Sequence, residues 1–251
     1  MRCEVKIEEI LAVDGCACRY GFFNRYGGGS FPPYDSLNCS FGVGDREEAV
    51  RENRMVIQEK MESPVLLSAR QVHGDTIFSL KTSLEENREV DGVDSLITNQ
   101  RGVGLMIQQA DCQAVLLHDP REKVIAAIHC GWRGNVINIL GKTVSRLQSD
   151  FGVLPGNLYG IISPSLGPCC AEFIHYRTEL PDSFLPFMVR PSYFDFREIS
   201  RQQLLDAGLS DSNVRMDGSC TSCSEDFFSY RRARRQGDGI TGRNCSVIIM
   251  D

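Results

Sequence analysis

Apolar residues in the middle of the chain fall into short unbroken runs at 95–98, 103–107, 114–117 and 124–128. Asn99-Gln100-Arg101-Gly102 and Asp119-Pro120-Arg121-Glu122-Lys123 separate two of the gaps. Short aliphatic runs bounded by turn residues predict buried strands. The period changes on either side. Over 47–60, Val50, Arg54, Ile57 and then Met61 recur on one side, which predicts a helix stopped by Pro64. Val136, Leu140, Val144, Leu147 and Phe151 predict one helix from about 135 to 150, closed by Gly152 and Pro155. A further helix is expected over 199–207, ending at Gly208.

Shorter strands are expected at 16–26, at 65–67 and 76–80 around a turn containing His73, at 158–163, around Val214 and Met216, and at 246–250. Gly27-Gly28-Gly29-Ser30 and Phe31-Pro32-Pro33-Tyr34 read as loop, as does the polar stretch 81–89. The segment 164–170 is too rich in Pro and Gly to be regular. No repeat, low-complexity tract or linker interrupts the pattern. The expectation is a single α+β domain over residues 1–251.

Composition narrows the class. Hydrophobic content of 42%, charged content of 24% and 251 residues are ordinary for a globular chain with a sizeable core. A net charge of -6 argues against a nucleic-acid binder. Residues 1–11 lack the apolar centre of a signal peptide, and no run is long enough to cross a membrane. The expected location is the cytoplasm, with no membrane partner. Eleven cysteines is an odd count in a chain this long, which predicts mostly reduced, buried thiols with one or two doing chemistry.

Only four histidines are present, so their settings matter. His129 ends an apolar run and leads into Gly131-Trp132-Arg133-Gly134 and a helix start, where unpaired N–H groups and Arg133 suit an anion. Cys112 follows Asp111 at the start of another run. If 114–117 and 124–128 form a hairpin, Cys112 and His129 become neighbours at its open end. His73, between Val72 and Gly74, would complete a His-Cys-His set with a fourth tetrahedral position left open. The competing reading makes His129 a core histidine and Trp132 a packing residue. His118 and His175 are expected at the surface.

Two cysteine motifs remain. Cys220-Thr221-Ser222-Cys223 is a lone C-x-x-C, either a redox pair or half of a zinc site, and is read as structural. Cys169 and Cys170 are adjacent and cannot bond to each other without strain. Arg231, Arg232, Arg234, Arg235 and Arg243 form a basic stretch, interleaved with aromatics, from which some side chains are expected to turn inward toward a phosphate.

Taken in order, several segments resemble the laccase-domain family, once called multicopper polyphenol oxidases and now regarded as zinc-dependent purine nucleoside phosphorylases. They are Gly27-Gly28-Gly29-Ser30 with Tyr34 and Ser36-Leu37-Asn38, Val43-Gly44-Asp45, Glu52-Asn53-Arg54, and Gln71-Val72-His73-Gly74. The series continues with Asp91-Gly92-Val93-Asp94-Ser95-Leu96-Ile97-Thr98, Ala110-Asp111-Cys112, His129 and Gly131-Trp132-Arg133-Gly134. It closes with Gly167-Pro168-Cys169-Cys170-Ala171-Glu172, Cys220-Thr221, Phe228-Ser229-Tyr230-Arg231-Arg232 and Gly242-Arg243.

The resemblance implies a β-sandwich core flanked by helices in an α-β-β-α arrangement. It implies a metal, Zn²⁺ with Cu²⁺ as the alternative, on His73, Cys112 and His129. It further implies phosphorolysis of adenosine, inosine and S-methyl-5′-thioadenosine, and deamination of adenosine. The expected partners are purine nucleosides and phosphate, with the chain a monomer or weak homodimer. Arg54, in a matched motif, is the first choice for a catalytic or substrate contact. Arg70, Asn38 and Arg133 are further candidates, and Asp111 is placed to orient a histidine or move a proton. Cys130 and Cys223 depart from the family pattern.

Other readings use the same residues. Cys112 as nucleophile with His129 as its base gives a cysteine hydrolase or deamidase without metal. A non-catalytic protein would close the site with Cys130 as fourth ligand. A copper-dependent polyphenol oxidase needs more histidines than the chain has.

Overall fold

The computed structural model describes residues 6–13 and 16–251, with side chains from residue 18 onward. Residues 1–5 of the stretch read as free of a leader lie outside the described residues.

The chain opens with β1 (Lys6–Val13) and β2 (Cys16–Phe23), followed by α1 (Glu47–Lys60). Next come β3 (Val65–Arg70), β4 (Ile77–Leu80), β5 (Arg88–Asp91), β6 (Ser95–Thr98), β7 (Val103–Gln109), β8 (Gln113–Asp119) and β9 (Val124–Cys130). Then follow α2 (Trp132–Val136), α3 (Ile139–Phe151), β10 (Tyr159–Ile162), α4 (Tyr176–Glu179), β11 (Met188–Arg190), β12 (Tyr193–Phe194) and α5 (Phe196–Asp206). The last elements are β13 (Val214–Met216), α6 (Tyr230–Gln236) and β14 (Asn244–Met250).

Two six-stranded sheets carry the fold, in the orders β1-β2-β14-β7-β3-β5 and β13-β10-β8-β9-β6-β4. Their facing sides meet through Leu67, Leu105, Ile107 and Ile248 from one sheet and Leu96, Leu116, Ile125 and Ala127 from the other. Side chains one position along point the opposite way, because strand side chains alternate. Leu66, Met106, Val247 and Ile249 pack under Ile57 and Met61 at α1. On the far side, Val115, Leu117, Ala126 and Ile128 pack under Leu140, Val144, Leu147 and Leu204 of α3 and α5. This is the expected α-β-β-α order. It explains why the central strands read as unbroken apolar runs: both of their faces are covered.

The expected hairpin of β8 and β9 forms, with Ala114 opposite His129 and Gln113 opposite Cys130. The strands expected around His73 form, in different sheets: β3 lies in the first beside β7, and β4 lies in the second beside β6. Three expectations change. The single helix over 135–150 is two, because Asn138 takes φ +52° and its side-chain oxygen accepts from Gly141 N–H to begin α3 anew. The loop at 81–89 ends early, in β5 at Arg88. His118, expected outside, is fully buried in β8, where it pairs with Ile125 and Tyr159. His175 is exposed, as expected. No helix among the described residues is long and apolar enough to cross a membrane.

Candidate metal centre

Register builds the centre. The antiparallel pairing of β8 and β9 sets Cys112, one residue ahead of β8, beside the His129 end of β9. The third side chain comes from the crossover between the sheets. His73 lies on the segment joining β3 to β4 and adopts φ +60°, a left-handed backbone that a non-glycine residue holds only when its surroundings enforce it.

Asp94 enforces it. This fully buried carboxylate, one residue before β6, accepts the backbone N–H groups of Val72 at 3.1 Å, His73 at 2.9 Å and Gly74 at 2.8 Å. It also meets His129 Nδ1 at 2.8 Å, and its own carbonyl accepts His129 N–H at 2.7 Å. An ionised carboxylate only accepts, so His129 Nδ1 carries the proton and Nε2 is left for a thiolate or a metal. One side chain thereby fixes the backbone of one histidine and the ring of the other.

The donor atoms of His73, Cys112 and His129 all lie within 4.8 Å of one another. His73 Nε2 is 3.8 Å from Cys112 Sγ, and the two imidazoles stand edge to face with centroids 4.7 Å apart. In a tetrahedral zinc site such donors sit about 3.3–3.8 Å apart, so a small contraction closes the set onto an ion. Gly131 is part of the cradle: a Cβ there would lie 2.9 Å from Cys112 Sγ and 3.2 Å from His73 Cδ2. Two imidazoles and a thiolate are borderline-soft donors that suit zinc.

The charges agree. Burial would raise the Asp94 carboxyl, but the bonds from His129, Gly74 and Val72 hold it below its ordinary value. Burial would likewise raise the Cys112 thiol. The His129 charge and contacts with both histidines reverse that and bring it down to about 6. For His129, burial pulls down, while the Cys112 thiolate and Asp94 push up to about 9. The metal-free pair is therefore a thiolate and an imidazolium. Cys130 is different: its buried thiol is pushed up and packs among the helix-side core at Ile128 and Ile139, 4.0 Å from Ser200 Oγ. It faces away from the donors and does not supply a fourth ligand.

The three donors open on a cavity of about 610 Å³. Trp132, Phe173, Phe196 and Tyr230 give it aromatic walls, and Arg70, Arg231 and Arg243 give it positive charge. Glu89 also lines it. Arg54 stands behind Glu89 and is not part of the lining: its Nη2 donates to Glu89 Oε2 at 2.6 Å, Nη1 to Ser68, and Nε to the Cys39 carbonyl. Arg70 reaches the cavity with its guanidinium exposed beside Asp91.

Asn38 and Arg133 lie off the lining. Asn38 is fully buried and ties together Ser40, Asp45 and Arg243 N–H, while Arg133 is exposed over the Trp132 ring. Asp111 lines the cavity, yet its carboxylate bonds to Thr221 Oγ1 at 2.7 Å and Arg231 N–H at 2.5 Å. The histidine contact expected of Asp111 is made by Asp94. Asp94 and Glu89 are not among the candidates the sequence offers. Asp94 carries a visible signal, an acid at the very start of an apolar run. Glu89 carries none.

Comparison with known proteins agrees with this frame. The family model described as multi-copper polyphenol oxidoreductase laccase matches residues 19–251. A Geobacillus stearothermophilus protein named purine nucleoside phosphorylase YlmD is 35% identical over 246 residues, 91% of this chain and 88% of that one. The crystal structure of YlmD from Geobacillus stearothermophilus superposes with a TM-score of 0.83 at 32% identity, covering 92% and 91% of the two chains. That of the Bacillus licheniformis hypothetical protein YfiH gives 0.84 at 27% identity, covering 93% of each.

Proposed function

The chain belongs to the multi-copper polyphenol oxidoreductase laccase family, and from that premise we propose that it is a zinc-dependent purine nucleoside phosphorylase. Its substrates are adenosine, inosine and S-methyl-5′-thioadenosine with phosphate, and it also deaminates adenosine. The observation that carries this reading is Asp94, whose single carboxylate positions both histidines of an open three-donor set at the mouth of an aromatic and cationic cavity.

Zinc held by His73, Cys112 and His129 supplies a Lewis acid at the cavity wall. The chain does the rest. In phosphorolysis a phosphate oxygen bonds to ribose C1′, the bond from C1′ to the purine nitrogen breaks, and the base leaves with a proton. Positive charge grows on the sugar as that bond stretches. Glu89, kept ionised by Arg54, faces this region and favours the growing charge. Arg54 is thus a positioning residue acting through Glu89. Arg70, Arg231 and Arg243 attract and orient phosphate. Trp132, Phe173 and Tyr230 offer apolar faces to the purine.

Asp94, His129 and Cys112 also line up as orienting acid, base and thiol, which favours a cysteine hydrolase as the second reading. That chemistry gives His73 no task, although the fold holds it in a strained backbone by three N–H bonds. A copper phenol oxidase is disfavoured by supply: of the remaining histidines, His118 is buried in β8 and His175 lies outside the cavity.

The test is purified, metal-analysed protein incubated with adenosine and phosphate, with products separated by chromatography. Adenine and ribose 1-phosphate are expected, and inosine marks the deaminase activity. Zinc-loaded protein that forms neither product overturns the nucleoside assignment.

A further inference from the structure

A second group of sulfurs lies apart from the centre described above. Cys169, Cys170, Cys220 and Cys223 come from two loops more than fifty residues apart, and their four Sγ atoms all lie within 4.8 Å of one another. Cys223 Sγ is 3.5 Å from both Cys169 Sγ and Cys170 Sγ. Four bonds of about 2.3 Å from a tetrahedral zinc put neighbouring sulfurs about 3.8 Å apart, a distance that falls between the 3.5 Å approaches and the 4.8 Å limit of this group. A disulfide would occupy two sulfurs and leave two others crowded against it.

The backbone is arranged for thiolates as well. Cys220 Sγ accepts Gly167 N–H at 3.3 Å, and the Cys220 carbonyl accepts Cys223 N–H at 3.2 Å, closing the loop around the sulfurs. A backbone N–H donor stabilises a sulfur that carries negative charge. Gly167 is needed for this approach, because a Cβ there would lie 3.0 Å from Cys220 Cβ and 3.3 Å from Cys169 Sγ. The loops are pinned by a bridge between Ser165 and Cys220 and by Thr221 N–H on the Ser165 carbonyl at 3.0 Å.

Charge is balanced too. Four thiolates and one divalent ion sum to a net negative centre. Arg190 donates to the Cys169 carbonyl at 2.9 Å, Arg231 to the Cys170 carbonyl at 3.0 Å, and Arg232 to the carbonyls of Thr221 and Ser224 at 2.8 Å. Three guanidinium groups therefore grip the loops that present the sulfurs.

We propose that Cys169, Cys170, Cys220 and Cys223 form a second metal site, a closed tetrathiolate that binds zinc and staples the 165–170 loop to the 220–223 loop. Binding displaces the thiol protons, and no position stays open for substrate, so the site is structural. Its consequence reaches the first centre. Thr221, between two of the ligands, donates to Asp111, and Arg231, which holds the Cys170 carbonyl, donates its own N–H to the other Asp111 oxygen. Leu166 N–H holds the Asp111 carbonyl at 2.8 Å. The staple thus braces one cavity wall from behind.

The experiment is metal counting on the full chain, expressed with added zinc and purified under reductant. Wild type is expected to hold about two zinc equivalents per chain. His73→Ala/Cys112→Ala, which disables the first centre, is expected to keep about one. Adding Cys223→Ser, at an exposed position, should remove that one while circular dichroism stays native. Cobalt exchanged into the double variant should give the intense thiolate charge-transfer bands of a four-sulfur site. A double variant that binds no zinc under reductant, a coloured iron-containing protein, or a zinc content indifferent to Cys223→Ser would each overturn the proposal.

Discussion

Asp94 and His129 are joined twice, side chain to ring at 2.8 Å and carbonyl to backbone N–H at 2.7 Å. The same carboxylate receives three N–H groups from the His73 turn. Asp94→Asn keeps the shape but replaces one acceptor oxygen with a donor, which then faces N–H groups it cannot satisfy. Zinc affinity at the His73, Cys112 and His129 set is expected to fall about 10- to 100-fold, measured by competition with a chromophoric chelator. Undiminished affinity would show that the histidines hold their positions without it.

Gly131 gives an independent probe of the same geometry. A methyl group at this position would press on Cys112 Sγ and on His73 at once. Gly131 is buried and has ordinary negative φ, so Gly131→Ala costs little in backbone conformation and acts through the donors. The expected outcome is loss of metal from the first centre with the unfolding midpoint nearly kept. A variant that binds metal as wild type does would mean that the loop yields.

The difference between Asp94 and Cys112 shows where the sequence is legible. The β8–β9 hairpin and the proximity of Cys112 and His129 follow from local pattern, since two covered strands and a short polar turn fix the register between them. His73 joins them through a crossover between layers, which periodicity does not encode. From the sequence it stands only as the residue that would complete the set, and the resemblance implies the same three. Asp94 is harder still, because its partners are mainly backbone N–H groups of a distant loop, and backbone donors leave no mark in a sequence. Cys169 and Cys220 illustrate the same barrier at longer range: the C-x-x-C reads as structural alone, and only the tertiary fold places it beside Cys169 and Cys170. The break at Asn138 is a local choice, one side chain capping a helix that the apolar stripe alone would continue.

His118 has both ring nitrogens buried without a hydrogen-bond partner among the described residues. Burial therefore pushes its pKa down to about 4, against a smaller upward pull from Asp119. A histidine with a depressed folded-state value is neutral in the native protein while the unfolded chain takes up a proton. Stability from this site is thus complete above about 6.5 and lost as pH falls from there toward 4, up to about 3 kcal/mol in all. His118→Leu is expected to flatten that part of the pH–stability curve in urea titrations. An unchanged slope between pH 6.5 and 4 would assign acid sensitivity to other groups.

Arg54 and Glu89 form an ion pair behind the cavity wall, both largely covered and both hydrogen-bonded to further groups. Burial raises the Glu89 carboxyl, and Arg54 with Ser68 and Gln108 more than reverses it, so its stabilising effect is present at neutral pH and fades as pH falls through the lowered value. Arg54→Met leaves the carboxylate without its cation. Stability is expected to drop by about 3–5 kcal/mol at neutral pH, with part restored by adding Glu89→Gln. Failure of the second substitution to recover any stability would place the role of Arg54 in its contacts with Cys39 and the Phe41 ring instead.

His73 separates the metal-dependent reading from the thiol nucleophile, because only the first needs it. Its side chain is exposed at the cavity and donates nothing to the core, so His73→Ala should fold as wild type. Two donors, Cys112 and His129, then remain where three stood. Under the zinc reading the first centre loses its ion and phosphorolysis of adenosine falls to background, while wild type passed through the same chelation and zinc reloading regains its rate. Under the hydrolase reading the Asp94, His129 and Cys112 line is untouched, and turnover survives both the substitution and the chelator. The decisive comparison is activity against zinc content for the two proteins side by side: rates that track the metal support His73 as a ligand, and a fully active, metal-poor His73→Ala protein moves the chemistry to the Cys112 thiolate.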